Sequence, residues 1–151
     1  MGVKIIAKNK KALFNYHIEE RFEAGMVLTG SEVKSLREGK ANLVDAYATL
    51  KGNEALLLKA HISPYPPAAG LNHDPTRPRK LLLHRAELLK LSGQLATGGA
   101  TLIPLMLYFK DGRAKVELGL ARGKKKHDKR ADMKKRDATR EMSRALRKKN
   151  R

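Results

Sequence analysis

The chain contains no cysteine and no tryptophan, so it has no disulfide framework, no thiol nucleophile and no cysteine metal site, a pattern that fits a reducing cytosol. Long apolar runs are missing as well. The longest, residues 102–109, is broken by Pro104 and falls far short of the roughly 20 residues that a membrane span requires. The opening Met1-Gly2-Val3-Lys4 has no signal-peptide run behind it, and Ile6 stands where a myristoylation motif wants Ser or Thr. These absences predict a soluble, cytoplasmic protein with no membrane partner. Acids are scarce too: 15 Asp and Glu stand against 33 Lys and Arg, giving a formal net charge of +18 and a pI near 10.4. That balance points first to nucleic acid and second to an acidic membrane surface.

The positive charge is unevenly placed. Residues 122–151 hold 15 basic and 4 acidic side chains, a net of +11, which leaves +7 for residues 1–121. No glycine or proline follows Gly123, and the only apolar residues there larger than alanine are Met133, Met142 and Leu146. Such a segment buries too little apolar surface to offset its ordering entropy, so it is expected to be disordered when free. It is still suited to become a helix on a polyanionic partner. Asp132 precedes Arg136 by four, Asp137 precedes Arg140 by three, and Glu141 precedes Arg144 by three, spacings that support helical ion pairs. Ala131, Ala138, Met142 and Ala145 fall on one thin stripe. Fully helical, residues 124–151 would reach roughly 40 Å. Two units follow: a folded domain over residues 1–121 and a basic C-terminal tail over residues 122–151.

Within the domain, residues 1–11 read as a basic arm. From Phe14 the pattern has period two, with Phe14, Tyr16, Ile18 and Phe22 sharing one strand face with Glu20. After a break at Ala24-Gly25, residues 26–29 read as a second short strand. Ser31 is placed to cap a brief helix, with Glu32 near its positive end, Val33 and Leu36 inward and Gly39 as its stop. Strands over residues 45–51 and 54–62 join through Gly52-Asn53, a good two-residue hairpin connection. Residues 63–80 form a loop that holds five of the six prolines, and a stiffened loop of that length is usually functional. Residues 84–95 read as a helix with Leu88, Leu91 and Leu95 toward the core, ended by Gly98-Gly99. A last hairpin runs over residues 102–109 and 114–120 around Asp111-Gly112. Six mostly antiparallel strands with short flanking helices predict a mainly β fold, a small closed or nearly closed barrel.

Catalytic chemistry finds little support. The five histidines lack the spacing of a zinc site, and no phosphate-loop pattern follows Gly98-Gly99 or Gly123-Lys124. Asn72-His73-Asp74 is the one tempting cluster, and a turn in which Asn72 and Asp74 bond local backbone groups explains it without a partner cluster. Glu19 and Glu20 point to opposite faces of a strand and do not share a substrate. The residues alone support a non-enzymatic RNA- or DNA-binding barrel with a basic tail, requiring neither cofactor nor metal.

Three segments in order, GSEVKSLREGKANLVDAY (residues 30–47), NHDPTRPRKLLLH (residues 72–84) and GKKKHDKR (residues 123–130), resemble the SsrA-binding protein family. The resemblance implies a barrel of the oligonucleotide-binding type that binds the transfer-RNA-like part of transfer-messenger RNA and delivers it to ribosomes stalled on broken messages. The tail would enter the empty message path at the small subunit's decoding region, with elongation factor Tu reached through the RNA. Carried over onto matching positions, the RNA-binding residues would be Glu32, Lys34, Arg37, Asn42, Asn72, Arg77, Arg79, Lys80, Lys124 and Lys125. The tail's ribosome contacts would be Asp128, Lys129, Arg130, Lys134, Lys135, Arg136, Arg140, Met142 and Arg144. Lysines and arginines would hold phosphate, while Glu32 and Asn42 would bond 2′-hydroxyls or base edges, unless Glu32 only serves the helix dipole or pairs with a basic neighbour. One departure stands out: after Asn9-Lys10-Lys11-Ala12 this chain has Phe14 where the family commonly carries histidine, a flat ring that can stack or pack but neither donates a hydrogen bond nor carries charge. Two other readings differ in class. A structural RNA-binding protein of the ribosome would not need a conditionally folded tail, and a membrane-surface helix would need the Trp, Phe and Leu that this stripe lacks.

Overall fold

A computed structural model describes residues 2–123, and nine strands and three α-helices lie among them. In chain order these are β1 (Val3–Lys8), α1 (Lys10–Asn15), β2 (Tyr16–Met26), α2 (Gly30–Arg37), β3 (Ala41–Asn42), β4 (Tyr47–Lys51) and β5 (Glu54–Leu58). Then come β6 (His61–Ile62), a 3-10 turn (Pro66–Leu71), β7 (Arg79–Leu82), α3 (Arg85–Ala96), β8 (Thr101–Lys110) and β9 (Arg113–Gly123). The fold is mainly β, as expected. β8 pairs with β9 along its length, with β4 at Leu102 and with β1 from Met106 to Lys110. From β9 the pairing runs through β2, β7 and β5 back to β4, all antiparallel, so six strands form a ring and β1 adds to one rim. β3 and β6 make a separate short pair.

The N-terminal third differs most from the expectation. The supposed basic arm is mostly β1 and α1, because Ile6 and Ala7 reach the main core while the lysines between apolar residues stay in solvent. Phe14 lies in α1, and Asn9 caps that helix by accepting from the Ala12 amide at 3.1 Å. The expected second strand over residues 26–29 does not form: β2 runs unbroken through Gly25, which sits opposite both Leu82 and Lys115, and ends at Met26. Its apolar residues do not share a face. A register shift between Ile18 and Glu20 turns Tyr16 and Ile18 toward α1 and Phe22 and Ala24 into the ring. Arg79 and Lys80, expected in the long loop, belong to β7.

The structure explains why the apolar run of β8 shows no period-two alternation. Leu102 and Leu107 face the ring interior with Val116, Leu118 and Leu120 of β9, whereas Ile103 and Leu105 pack under α1 with Ala12 and Ala121. A strand covered on both sides shows no alternation, and Pro104 is tolerated beside a register shift. Gly119 of β9 lies where the α1 side is tightest, since a Cβ there would stand 2.8 Å from a Leu105 methyl and 3.1 Å from Ile18. The turns obey their chemistry: Asp111 and Gly112 both adopt positive φ, 52° and 79°, as a tight type I′ connection demands. No helix among the described residues is long and apolar enough to cross a membrane.

Candidate nucleic-acid interface

Around the N-terminus of α2 the first two motif segments meet. Thr29, not Ser31, is the N-cap, and Glu32 at the third helical position completes a capping box by accepting from the Thr29 amide at 2.8 Å. Glu32 is fully buried, and its carboxylate is also the anchor of two arginines from the far end of the long loop. Arg77 forks onto it, Nε to Oε2 at 3.1 Å and Nη2 to Oε1 at 2.5 Å, and Arg79 Nε donates to Oε2 at 2.6 Å. Arg79, also fully buried, donates onward to the Ala60 carbonyl at 2.6 Å and the Pro75 carbonyl at 3.0 Å. Burial pushes the Glu32 carboxyl up, but hydrogen bonds from Arg77, the Thr29 amide and Arg79, together with the Arg79 charge, outweigh it and hold the group below the ordinary carboxylate value.

A second set of bonds fixes the proline-rich loop against the same helix. Buried His73 bridges Ser31 Oγ through Nδ1 at 2.9 Å and the Ile62 carbonyl through Nε2 at 2.9 Å. A carbonyl only accepts, so Nε2 carries a proton. Asn72 clamps Tyr65 by accepting from its amide at 2.9 Å and donating to its carbonyl at 2.7 Å. Asp74 accepts from the Thr76 amide at 3.0 Å, so Asn72-His73-Asp74 is a bonded turn as expected, with His73 as an added cross-link. Among the described residues, no buried side-chain N or O lacks a partner, and no His, Asp or Glu cluster has metal-holding geometry.

This geometry corrects two assignments. Glu32 and Arg79 do not present their side chains at the surface, because each is enclosed by the other, by Arg77 and by backbone carbonyls; the alternative weighed for Glu32, pairing with basic neighbours, is what the structure has. Arg77 remains about a third exposed at 30%. The outward cations are Lys34, whose Nζ lies 5.7 Å from the Tyr65 ring centre, Arg37 in the last turn of α2, and Lys80, 3.3 Å from Glu54. Asn42 is exposed on β3 and accepts from the Val44 amide at 2.8 Å. Lys124, Lys125 and the tail positions from Asp128 to Arg144 lie outside the described residues. The Ser31–His73 bond and the Tyr65 platform escaped the sequence reading. The capping box was visible there as Thr29-x-x-Glu32.

Comparison with known proteins gives one consistent picture. The family model described as "SmpB protein" matches residues 6–148. The SsrA-binding protein of Geobacter sulfurreducens is 58% identical over 99% of this chain and 98% of its own length, and that of Geotalea uraniireducens is 58% identical over 100% of both. A solved structure described as "tmRNA-SmpB: a journey to the center of the bacterial ribosome" superposes with a TM-score of 0.67 at 47% identity, over 80% of this chain and 85% of that one.

Proposed function

The chain belongs to the SmpB family, and from that premise we propose that it binds the transfer-RNA-like domain of transfer-messenger RNA and delivers it to stalled ribosomes for trans-translation. It does so as a cytoplasmic RNA-binding protein, not as an enzyme. The observation that carries this reading is the full-length match to relatives named SsrA-binding proteins, at identities that leave no segment unaligned in the best-covered case. We read the ring of six strands as a small barrel of the oligonucleotide-binding type.

In this reading α2 and the loop tied to it form the surface for the folded RNA, with Lys34, Arg37, Lys80 and the exposed part of Arg77 on phosphate and Asn42 on a sugar or base edge. Lys124 and Lys125 extend that surface. β9 takes up Arg122 and Gly123, so the tail begins at residue 124; with 14 basic and 4 acidic side chains, a net of +10, it threads a message channel whose walls are RNA phosphates and folds there as a helix. An occupied channel excludes it, so a truncated message is sensed by vacancy. Elongation factor Tu meets the complex through the RNA.

The decisive experiment is to purify the protein from its own cell and sequence the RNA that accompanies it. Enrichment of transfer-messenger RNA, together with tagging of chains on ribosomes carrying truncated messages in a reconstituted system, is the expected result. Recovery of ribosomal RNA without transfer-messenger RNA would replace this reading with a structural ribosomal role.

A further inference from the structure

Away from α2, the two sequence stretches that the interface leaves aside, residues 9–16 and residues 43–47, come together around a cavity of about 360 Å³. It is lined by Lys11 and Asn15 of α1, Tyr16 where β2 begins, Asp45 and Tyr47 at the entry to β4, and Thr101 of β8, together with Ala12, Ala46 and Ile103. The frame is rigid. Asn9 is buried and its amide donates to the Leu43 carbonyl at 3.2 Å and the Pro104 carbonyl at 3.0 Å, locking α1 to the turn that carries Asp45 and to β8. That turn is itself closed by the Ala46 amide on the Leu43 carbonyl at 3.0 Å.

Apart from Asn9, which the fold uses, the cavity's charged and amide side chains are left unengaged. Lys11, Asn15, Asp45 and Thr101 make no side-chain hydrogen bond or ion pair with other described residues, and Lys11 and Asp45 do not reach each other although both line the same space. Outside the lining, Lys59 holds its Nζ 5.9 Å from the Tyr47 ring centre, and it does so from a backbone with φ of 61°, a conformation that non-glycine residues rarely adopt. Two tyrosine rings, a separated cation, an unpaired carboxylate and a neighbouring strained lysine make a specific combination. The rings offer an unstacked base a surface, and the lysines offer its phosphate a charge.

The geometry points to this cavity as a binding site for a single extruded guanine nucleotide of RNA. A carboxylate accepts only, and its two oxygens match two adjacent donors. Of the four bases, guanine alone presents such a pair, N1–H beside the exocyclic amino group, on its Watson–Crick edge. Adenine, cytosine and uracil each place an acceptor next to their donor and meet Asp45 with one repulsive contact. The volume suits one nucleotide and lies at the small end of ligand pockets, about 300–1,000 Å³. The inference rests on the RNA-binding reading but names a site that it does not contain, one whose lining includes neither Glu32 nor Arg77.

The test uses the full chain, labelled for NMR, titrated with guanosine 5′-monophosphate and, as comparators, the adenosine, cytidine and uridine monophosphates. Guanosine monophosphate should shift the amides of Lys11, Asn15, Asp45 and Tyr47 and bind about fivefold or more tightly than the others, a preference that Asp45→Asn removes. Lys11→Ala should weaken all four nucleotides alike. Equal binding of the four, or an unchanged preference in Asp45→Asn, overturns the proposal. The source of the nucleotide is then read from Asp45→Asn in two arms. Weakened binding to the transfer-RNA-like RNA alone assigns it to that RNA, and weakening only in the ribosome-bound complex assigns it to ribosomal RNA. Wild-type behaviour in both arms overturns the site. If Asp45→Asn binds as wild type while Lys34→Ala loses RNA affinity, the cavity proposal fails and the RNA-binding reading stands.

Discussion

Removing the Glu32 carboxylate should be among the most damaging single changes in the domain. Glu32→Ala leaves the Arg79 guanidinium fully enclosed with no counter-charge, and arginine cannot relieve this by losing its proton. Arg79 keeps its bonds to the Ala60 and Pro75 carbonyls, and Arg77 can turn to solvent, so the loss centres on one stranded cation and on the Thr29 cap. Breaking a buried pair this way costs about 3–5 kcal/mol, a large part of the roughly 5–15 kcal/mol that holds a typical domain together. In urea unfolding at neutral pH, with a slope near 2 kcal/mol/M, the midpoint should fall by about 2 M with the slope unchanged. Adding Arg79→Met should restore much of the loss, because the double variant strands no charge. The pH dependence has a definite sign. The folded-state value of Glu32 lies below its ordinary 4.5, so the folded protein binds fewer protons there and the stabilisation is complete above pH 4.5. It is lost as pH falls through the lowered value, and the wild type and Glu32→Gln should converge in acid. A loss under about 1 kcal/mol for Glu32→Ala at pH 7 would refute the reasoning, since it would place Arg79 in contact with water.

Further outcomes can be checked directly. Lys34→Ala and Arg37→Ala should each lower the slope of log affinity for transfer-messenger RNA against log salt by about one, while Glu54→Gln, which frees Lys80, should tighten binding; equal slopes for variants and wild type would remove these residues from the phosphate surface. Gly119→Val should destabilise the domain by about 1–3 kcal/mol in urea unfolding, because its side chain would enter the space held by Leu105 and Ile18. In the tail, Ala138→Pro should abolish tagging of stalled chains and leave RNA affinity intact, since proline costs a helix interior about 3 kcal/mol, whereas Lys135→Arg should be nearly silent. Wild-type tagging by Ala138→Pro would make the tail a flexible cation.

How far the fold could be read from residues depended on whether the governing signal was local. Gly52-Asn53 and Asp111-Gly112 set their hairpins through their own backbone preferences, and α3 came within a residue of its bounds because Leu88, Leu91 and Leu95 repeat at helical spacing. β2 was misjudged because a register shift, not a residue type, changes which side of the strand faces inward. β1 was missed because its partner, β8, lies some hundred positions away and supplies the pairing that the lysine-rich segment lacks alone. Glu32 failed for the same reason. Its proximity to the helix start was legible, but its burial depends on Arg77 and Arg79, 45 and 47 positions later.

Those long-range pairs also bear on how RNA can approach. Each acid of β2 finds a cation from another element: Glu19 meets Arg122, Glu20 meets Lys90, and Glu23 meets Lys110 while accepting from Tyr108. Arg21 between them meets Glu117 across the ladder. Each exposed pair contributes only about 0–1 kcal/mol, so stability is a weak reason for the pattern. Its larger effect is cancellation of charge over the outer face of β2 and β9, which leaves that face little field with which to hold a polyanion. Lys34 and Arg37 on α2 and Lys10 and Lys11 on α1 have no such partners among the described ion pairs. These four cations stand where the RNA surface and the guanine cavity are proposed. The net +18 of the chain draws a polyanion, and these four cations are available to meet it.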